Sequence, residues 1–160
     1  MDVYKEAGYL VLGSRLKRLS ERILQDIAGV YRAQDIPFEI TWFPVFFELD
    51  RRGNLSITEM ADMLQVSHPA IIQMVGKLRE NQLVNEARDP ADGRRRMVSL
   101  STRGKKLLER IKPVWASLEK AMQGMMQEGE HLQHILTTLD ELELQLNKKN
   151  VFTRVNEMLT

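Results

Sequence analysis

The chain has no cysteine among its 160 residues. That absence removes a disulfide framework, a thiolate zinc site and a thiol redox switch in one step. Long apolar runs are missing too, since no stretch approaches the roughly 18 uncharged apolar residues of a membrane span. The opening residues, MDVYKEAGYLVLGSRLKRLSE, interrupt their apolar positions with charge and do not read as a signal peptide. A cytoplasmic protein without a membrane partner is therefore expected. There is no glycine-rich phosphate loop, no cysteine nucleophile and no serine–histidine pattern, so neither an enzyme nor a cofactor is expected. Histidine is scarce, with three in all. His131 and His134, near Glu128 and Glu130, have the HxxH spacing that can hold zinc on a helix. Without an evident third ligand they read as solvated histidines, and no metal site is assigned.

Net charge is also small, at +1. Its distribution is not even. Between Arg88 and Lys112 nine basic residues face three acidic ones, a local excess of six. Such asymmetry is the footprint of a polyanion partner, although charge runs are usually just solvated faces. What precedes the run decides between the two.

That preceding stretch is Leu55 to Leu83, LSITEMADMLQVSHPAIIQMVGKLRENQL. Ser56 and Glu59 form a capping box, with Leu55 and Met60 placed to close a hydrophobic staple over the helix start. Gln65-Val66 makes a turn, and Ser67 opens a second helix with Pro69 in its first turn. Two short helices joined this tightly form a helix-turn-helix, whose second helix can enter a DNA major groove. At about 100° per residue, Ile71, Val75, Leu78 and, marginally, Met74 fall on one face as core. Pro69, Gln73, Gly76 and Lys77 point the other way with Ala70 beside them. Gln73 can pair with adenine through two hydrogen bonds, and Lys77 can meet a base or a phosphate. Leu83–Arg88 and Arg95–Leu100 then read as antiparallel strands around the turn-rich Asp89-Pro90-Ala91-Asp92-Gly93-Arg94. This is a wing. Its tip carries Arg94, Arg95 and Arg96, suited to a narrow minor groove, with Asp92 close enough to brace one of them.

Apolar residues recur at helical spacing over residues 3–32, and this long segment should pack on a partner chain or a second long helix. Asp35-Ile36-Pro37 breaks it, and Thr41 reads as the N-cap of a helix running to about Arg51. That helix is the most aromatic stretch of the chain. Its aromatics read as the core of a small winged domain; the alternative is an effector pocket near Trp42 and Phe46, with Trp115 as a third member. Ser101 caps the next helix, and Gly129 divides it from a last long, acidic one built for protein contacts.

The run from Leu55 through RDPADGRRRMVSLSTRGKKLL resembles the MarR family of winged-helix transcriptional regulators. Asp92-x-Arg94 followed by Val98-x-Leu100-Ser101-x-x-Gly104 is similar to that family's wing signature. The resemblance implies a mostly α fold with a small two- to three-stranded β-wing. It implies a homodimer on a pseudo-palindromic double-stranded DNA site, with a repressor role by family analogy. By position, Ser67, His68, Pro69, Ala70, Gln73 and Lys77 would face the major groove and Arg94 the minor groove. The expected organisation is an N-terminal dimerisation helix over 1–34, a winged helix-turn-helix over 35–104 and C-terminal dimerisation helices over 105–160. A small-molecule effector would tune DNA affinity. The chain also resembles the regulatory half of two-domain proteins carrying an N-acetyltransferase, but that activity is not expected in 160 residues. Gln82 stands where relatives usually have glycine, so Asn81 is expected to take the left-handed turn. A protein-interaction module and a metal-responsive regulator are the competing readings.

Overall fold

The computed structural model describes residues 3–93 and 95–159, with all their side chains except that of Lys5. Two compact units result, Met1–Trp115 and Ala116–Thr160.

The first unit opens with a short helix α1 (Val3–Glu6), a 3-10 turn (Gly8–Val11) and the long α2 (Leu12–Ala33). One continuous helix over 3–32 was expected; Gly8 at φ +54° interrupts it, because a left-handed residue cannot continue a right-handed helix. A second 3-10 turn (Ile40–Trp42) leads into α3 (Phe43–Arg52), with Pro44 in its first turn. Thr41 therefore lies inside the turn instead of capping α3, whose N-cap is Trp42 without a side-chain cap bond. Then follow β1 (Asn54–Ser56), α4 (Ile57–Leu64), α5 (His68–Glu80), β2 (Val84–Arg88), β3 (Arg96–Leu100) and α6 (Thr102–Gln127). The three strands form one antiparallel sheet in the order β1-β3-β2. Leu55 and Glu86 both sit opposite Val98, so β3 is the central strand.

The core lies where α3, α4, α5 and the first turns of α6 meet over this sheet. Phe46, Met60, Ile71, Leu78, Val98 and Ile111 are almost wholly excluded from solvent. Phe38 anchors its aromatic end, with ring centroids 5.0 Å from Tyr31, 5.9 Å from Trp42 and 5.2 Å from Phe46. Edge-on rings at such distances add to what their buried area contributes.

Three helices of this unit stop in the same way. At Asp35, Gln65 and Gln82 φ lies between 50° and 60°. In each case the next amide reaches back five residues: Ile36 to Tyr31, Val66 to Ala61 and Leu83 to Leu78. This is the Schellman pattern, which satisfies helix-end carbonyls through one left-handed residue. The pattern fixes which residue turns. For α5 it is Gln82, not Asn81, whose φ is −81°.

In the second unit α6 ends at Gln127, and a 3-10 turn (Leu132–His134) leads into α7 (Ile135–Lys148). The single last helix expected from sequence is two, since Lys149 is extended and α8 (Val151–Leu159) starts afresh. The Asn150 side chain accepts a hydrogen bond from the Thr153 amide at 2.9 Å, which caps that new start. His131 precedes the 3-10 turn and His134 ends it, so the two do not share an α-helical face. Among the described residues no three histidine, aspartate or glutamate side chains are grouped to hold a metal. Nor is any described helix long and apolar enough to cross a membrane.

Candidate nucleic-acid interface

The helix-turn-helix is set by its two caps. Ser56 accepts from the Glu59 amide at 3.2 Å, and Glu59 Oε2 accepts from the Ser56 amide at 2.8 Å, closing the capping box. Ser67 Oγ accepts from the Ala70 amide at 3.4 Å to start α5. Leu55 and Met60, the two ends of the staple, are both buried. Across the turn, His68 Nε2 lies 3.1 Å from Thr58 Oγ1 and joins the start of α5 to the first turn of α4.

Helix α5 presents the two faces expected of it. Ile71, Val75 and Leu78 are buried and Met74 partly so. Ser67, His68, Pro69, Ala70, Gln73 and Lys77 are all exposed, and Gly76 is half-buried. Ile72 is an addition to that face. Its side chain is 56% exposed beside His68, which places a bulky apolar group at the rim of the outward surface. Its position one residue past Ile71 was the available signal.

Between α5 and the wing lies an open groove of about 330 Å³, lined by Ser56, Thr58, His68, Ile72, Arg95 and Arg96 among others. The structure thus brings the start of α5 and two wing arginines to one surface. Arg94, assigned to the wing tip, lies outside the described residues. So does any brace that Asp92 gives it. Arg95 and Arg96 are both held by carboxylates. Arg95 Nη2 is 2.9 Å from Glu59 Oε1 and donates to Ser56 Oγ at 3.3 Å, while its Nη1 is 4.0 Å from Asp89. Arg96 is 3.9 Å from Glu86, which also pairs with Arg79 of α5 at 3.3 Å. Glu59 thus has a partner beyond its capping box, and Glu86 joins α5 to the wing. The two Ser56 hydrogen bonds, more than Arg95, hold the Glu59 carboxyl below its ordinary pKa of 4.5.

The end of α5 is also tied to the start of α6. Ser101 Oγ accepts from the Gly104 amide at 2.9 Å and donates to the Gln82 carbonyl at 2.6 Å. This cap therefore starts α6 and secures the stop of α5 together.

Of the residues assigned to an effector pocket, Trp42 and Phe46 lie inside the core and Trp115 packs against it, partly buried. Trp42 and Phe46 are buried against Phe38, and the Trp42 Nε1 has no hydrogen-bond partner. Trp115 packs instead on Phe43, with ring centroids 5.0 Å apart, and donates to the Tyr31 hydroxyl at 2.9 Å. Burial raises the Tyr31 pKa, and that hydrogen bond partly offsets the rise.

Residues 35–95 match the model of the MarR family. No curated protein matches the chain. Among solved structures it is similar to the transcriptional repressor CouR bound to a 23-mer DNA duplex. The TM-score is 0.74 at 22% identity, covering 89% of this chain and 98% of that one. A mutant MarR from E. coli complexed with operator DNA is similar at TM-score 0.66 and 19% identity, with 91% and 99% covered. The PcaV regulator from Streptomyces coelicolor, in complex with its natural ligand, gives 0.68 at 17% identity, with 91% and 96% covered. At these identities the likeness is one of fold, and the family rests on the matched segment. Capped helix pair, three-stranded wing and family match agree: residues 35–95 are similar to the MarR family.

Proposed function

We propose that the protein is a sequence-specific DNA-binding transcriptional regulator, a repressor acting as a homodimer on a pseudo-palindromic operator. The observation that carries this reading is the shared surface of α5 and the wing, where an exposed polar helix face adjoins an arginine-rich hairpin. In this reading Ser67, His68, Pro69, Ala70, Gln73 and Lys77 enter the major groove. The wing arginines Arg94, Arg95 and Arg96 supply positive charge beside it. Phosphate contacts give affinity and the α5 side chains give sequence choice. DNA in the CouR and E. coli MarR structures supports the assignment.

Residues 1–34 and 105–160 would form the dimer and hold the two winged segments, 35–104, one DNA turn apart. An effector that changes this spacing would release the DNA, as ligand binding shifts a two-state equilibrium. The ligand in the PcaV structure supports an effector, and Trp42, Phe46 and Trp115 are proposed to sense it.

Electrophoretic shift of random-sequence duplex at two salt concentrations tests the reading. Binding that weakens steeply with salt is the expected result, because a DNA binder has a non-specific electrostatic term even without its operator. No binding at low salt would reject it in favour of a protein-interaction module.

A further inference from the structure

We propose that Glu59 is a positioning residue for DNA binding: it props the wing against the helix-turn-helix through Arg95. The inference rests on the DNA-binding reading above, and gives Arg95 a role other than touching DNA. Glu59 divides its two carboxylate oxygens between two jobs. Oε2 accepts from the Ser56 amide at 2.8 Å and from the Ser56 hydroxyl at 2.7 Å, which fixes the start of α4. Oε1 faces Arg95 Nη2 at 2.9 Å, which fixes the loop end of the wing. The same Arg95 nitrogen donates to Ser56 Oγ at 3.3 Å, so the guanidinium meets both members of the capping box.

The backbone of Arg95 is where the wing loop closes. Its carbonyl accepts from the Asp89 amide at 3.0 Å, and its own amide donates to the Asp92 carbonyl at 2.9 Å. A side chain anchored on α4 therefore holds the residue that ends the loop. An exposed ion pair contributes little to global stability, since each partner is solvated and mobile when unpaired. Its effect here is on orientation. Arg95 lies on the loop side of the last strand pair, Arg88–Arg96, so the contact holds the free end of the ribbon directly. The geometry predicts a wing whose stance depends on a carboxylate 36 residues away in sequence, on a helix that reads no bases.

Glu59→Gln separates the two jobs, because glutamine serves in a capping box while carrying no charge for Arg95. The variant should melt close to the parent protein. Hydrogen exchange at the Asp89 and Arg95 amides, measured without DNA, should accelerate. Affinity for a duplex chosen by site selection should fall about three- to tenfold, the scale of one lost weak ion pair. Arg95→Ala should match that loss, and the double variant should be no weaker than the worse single one. The slope of log affinity against log salt should be the same for Arg95→Ala as for the parent, since no phosphate contact is removed.

Unchanged exchange in Glu59→Gln would overturn the prop. Faster exchange with equal or tighter DNA binding would overturn its role in recognition. A salt slope reduced by about 0.9 in Arg95→Ala would make Arg95 a phosphate contact instead. If the parent protein binds no duplex, the regulator reading fails and the exchange experiment alone decides on the prop.

Discussion

At Gly104 backbone packs on backbone. A Cβ built there would lie 2.0 Å from the Leu83 carbonyl oxygen and 3.1 Å from its carbon. That carbonyl also accepts the Ser101 amide at 3.0 Å, so it is held in place where α6 starts. Gly104→Ala should destabilise the protein by about 1–3 kcal/mol or more, the usual cost of forcing atoms into a packed site. A lower urea midpoint with an unchanged slope would show it. Glu59 offers a second test at this scale. Its folded pKa lies below the ordinary 4.5, so its stabilising effect is present above that value and lost as pH falls through the folded one. Any small difference in urea midpoint between the parent and Glu59→Gln at neutral pH should therefore vanish on acidification. A gap that stays constant down to about pH 3 would contradict the linkage.

Among the elements, α5 and the wing divide recognition in the proposed reading, and each can be disturbed alone. Gln73→Ala should relax base preference at one position of a selected site, costing about 1–3 kcal/mol of discrimination. An unchanged selected motif would count against that contact. Arg94→Ala should lower affinity for all sequences and reduce the salt slope by about 0.9, read from binding at several salt concentrations. The faces of α5 were legible in the sequence because a helix repeats every few residues, and Ile71, Val75 and Leu78 share one side whatever surrounds them. The capping box was legible for the same reason, being local. The second partner of Glu59 was not, because nothing local joins positions 59 and 95. Strand β1 is three residues long, too short for an alternation to show. The left-handed Gln82 was missed because residue preference pointed to asparagine, whereas hydrogen-bond geometry chose the next position. The α7–α8 break rests on Lys149 and on Asn150, whose preference for a helix N-cap was the available signal.

For the whole molecule, several helices keep large apolar side chains exposed. Leu12, Leu16, Leu19 and Ile23 of α2 are more than a third exposed, and Phe152 and Met158 of α8 are 74% and 86% exposed. Exposed apolar residues arranged in stripes mark contact surfaces. Sedimentation equilibrium should give twice the mass of the chain. Leu16→Glu with Ile23→Glu should shift it toward a single chain and weaken operator binding with it. A single-chain mass for the parent protein would refute the dimer.

The three left-handed stops bear on how the chain can vary. Each is set by an amide reaching back five residues, from Ile36, Val66 and Leu83, and not by the identity of Asp35, Gln65 or Gln82. Substitutions there should be absorbed. A one-residue insertion is another matter, because it rotates everything beyond it by about 100° and advances it by about 1.5 Å. Inside α4 it would turn the recognition helix away from its neighbours; inside α5 it would break the register of Leu78 with Leu83. Among descendants of this sequence, side chains along these helices can drift, while the spacing between stops is kept.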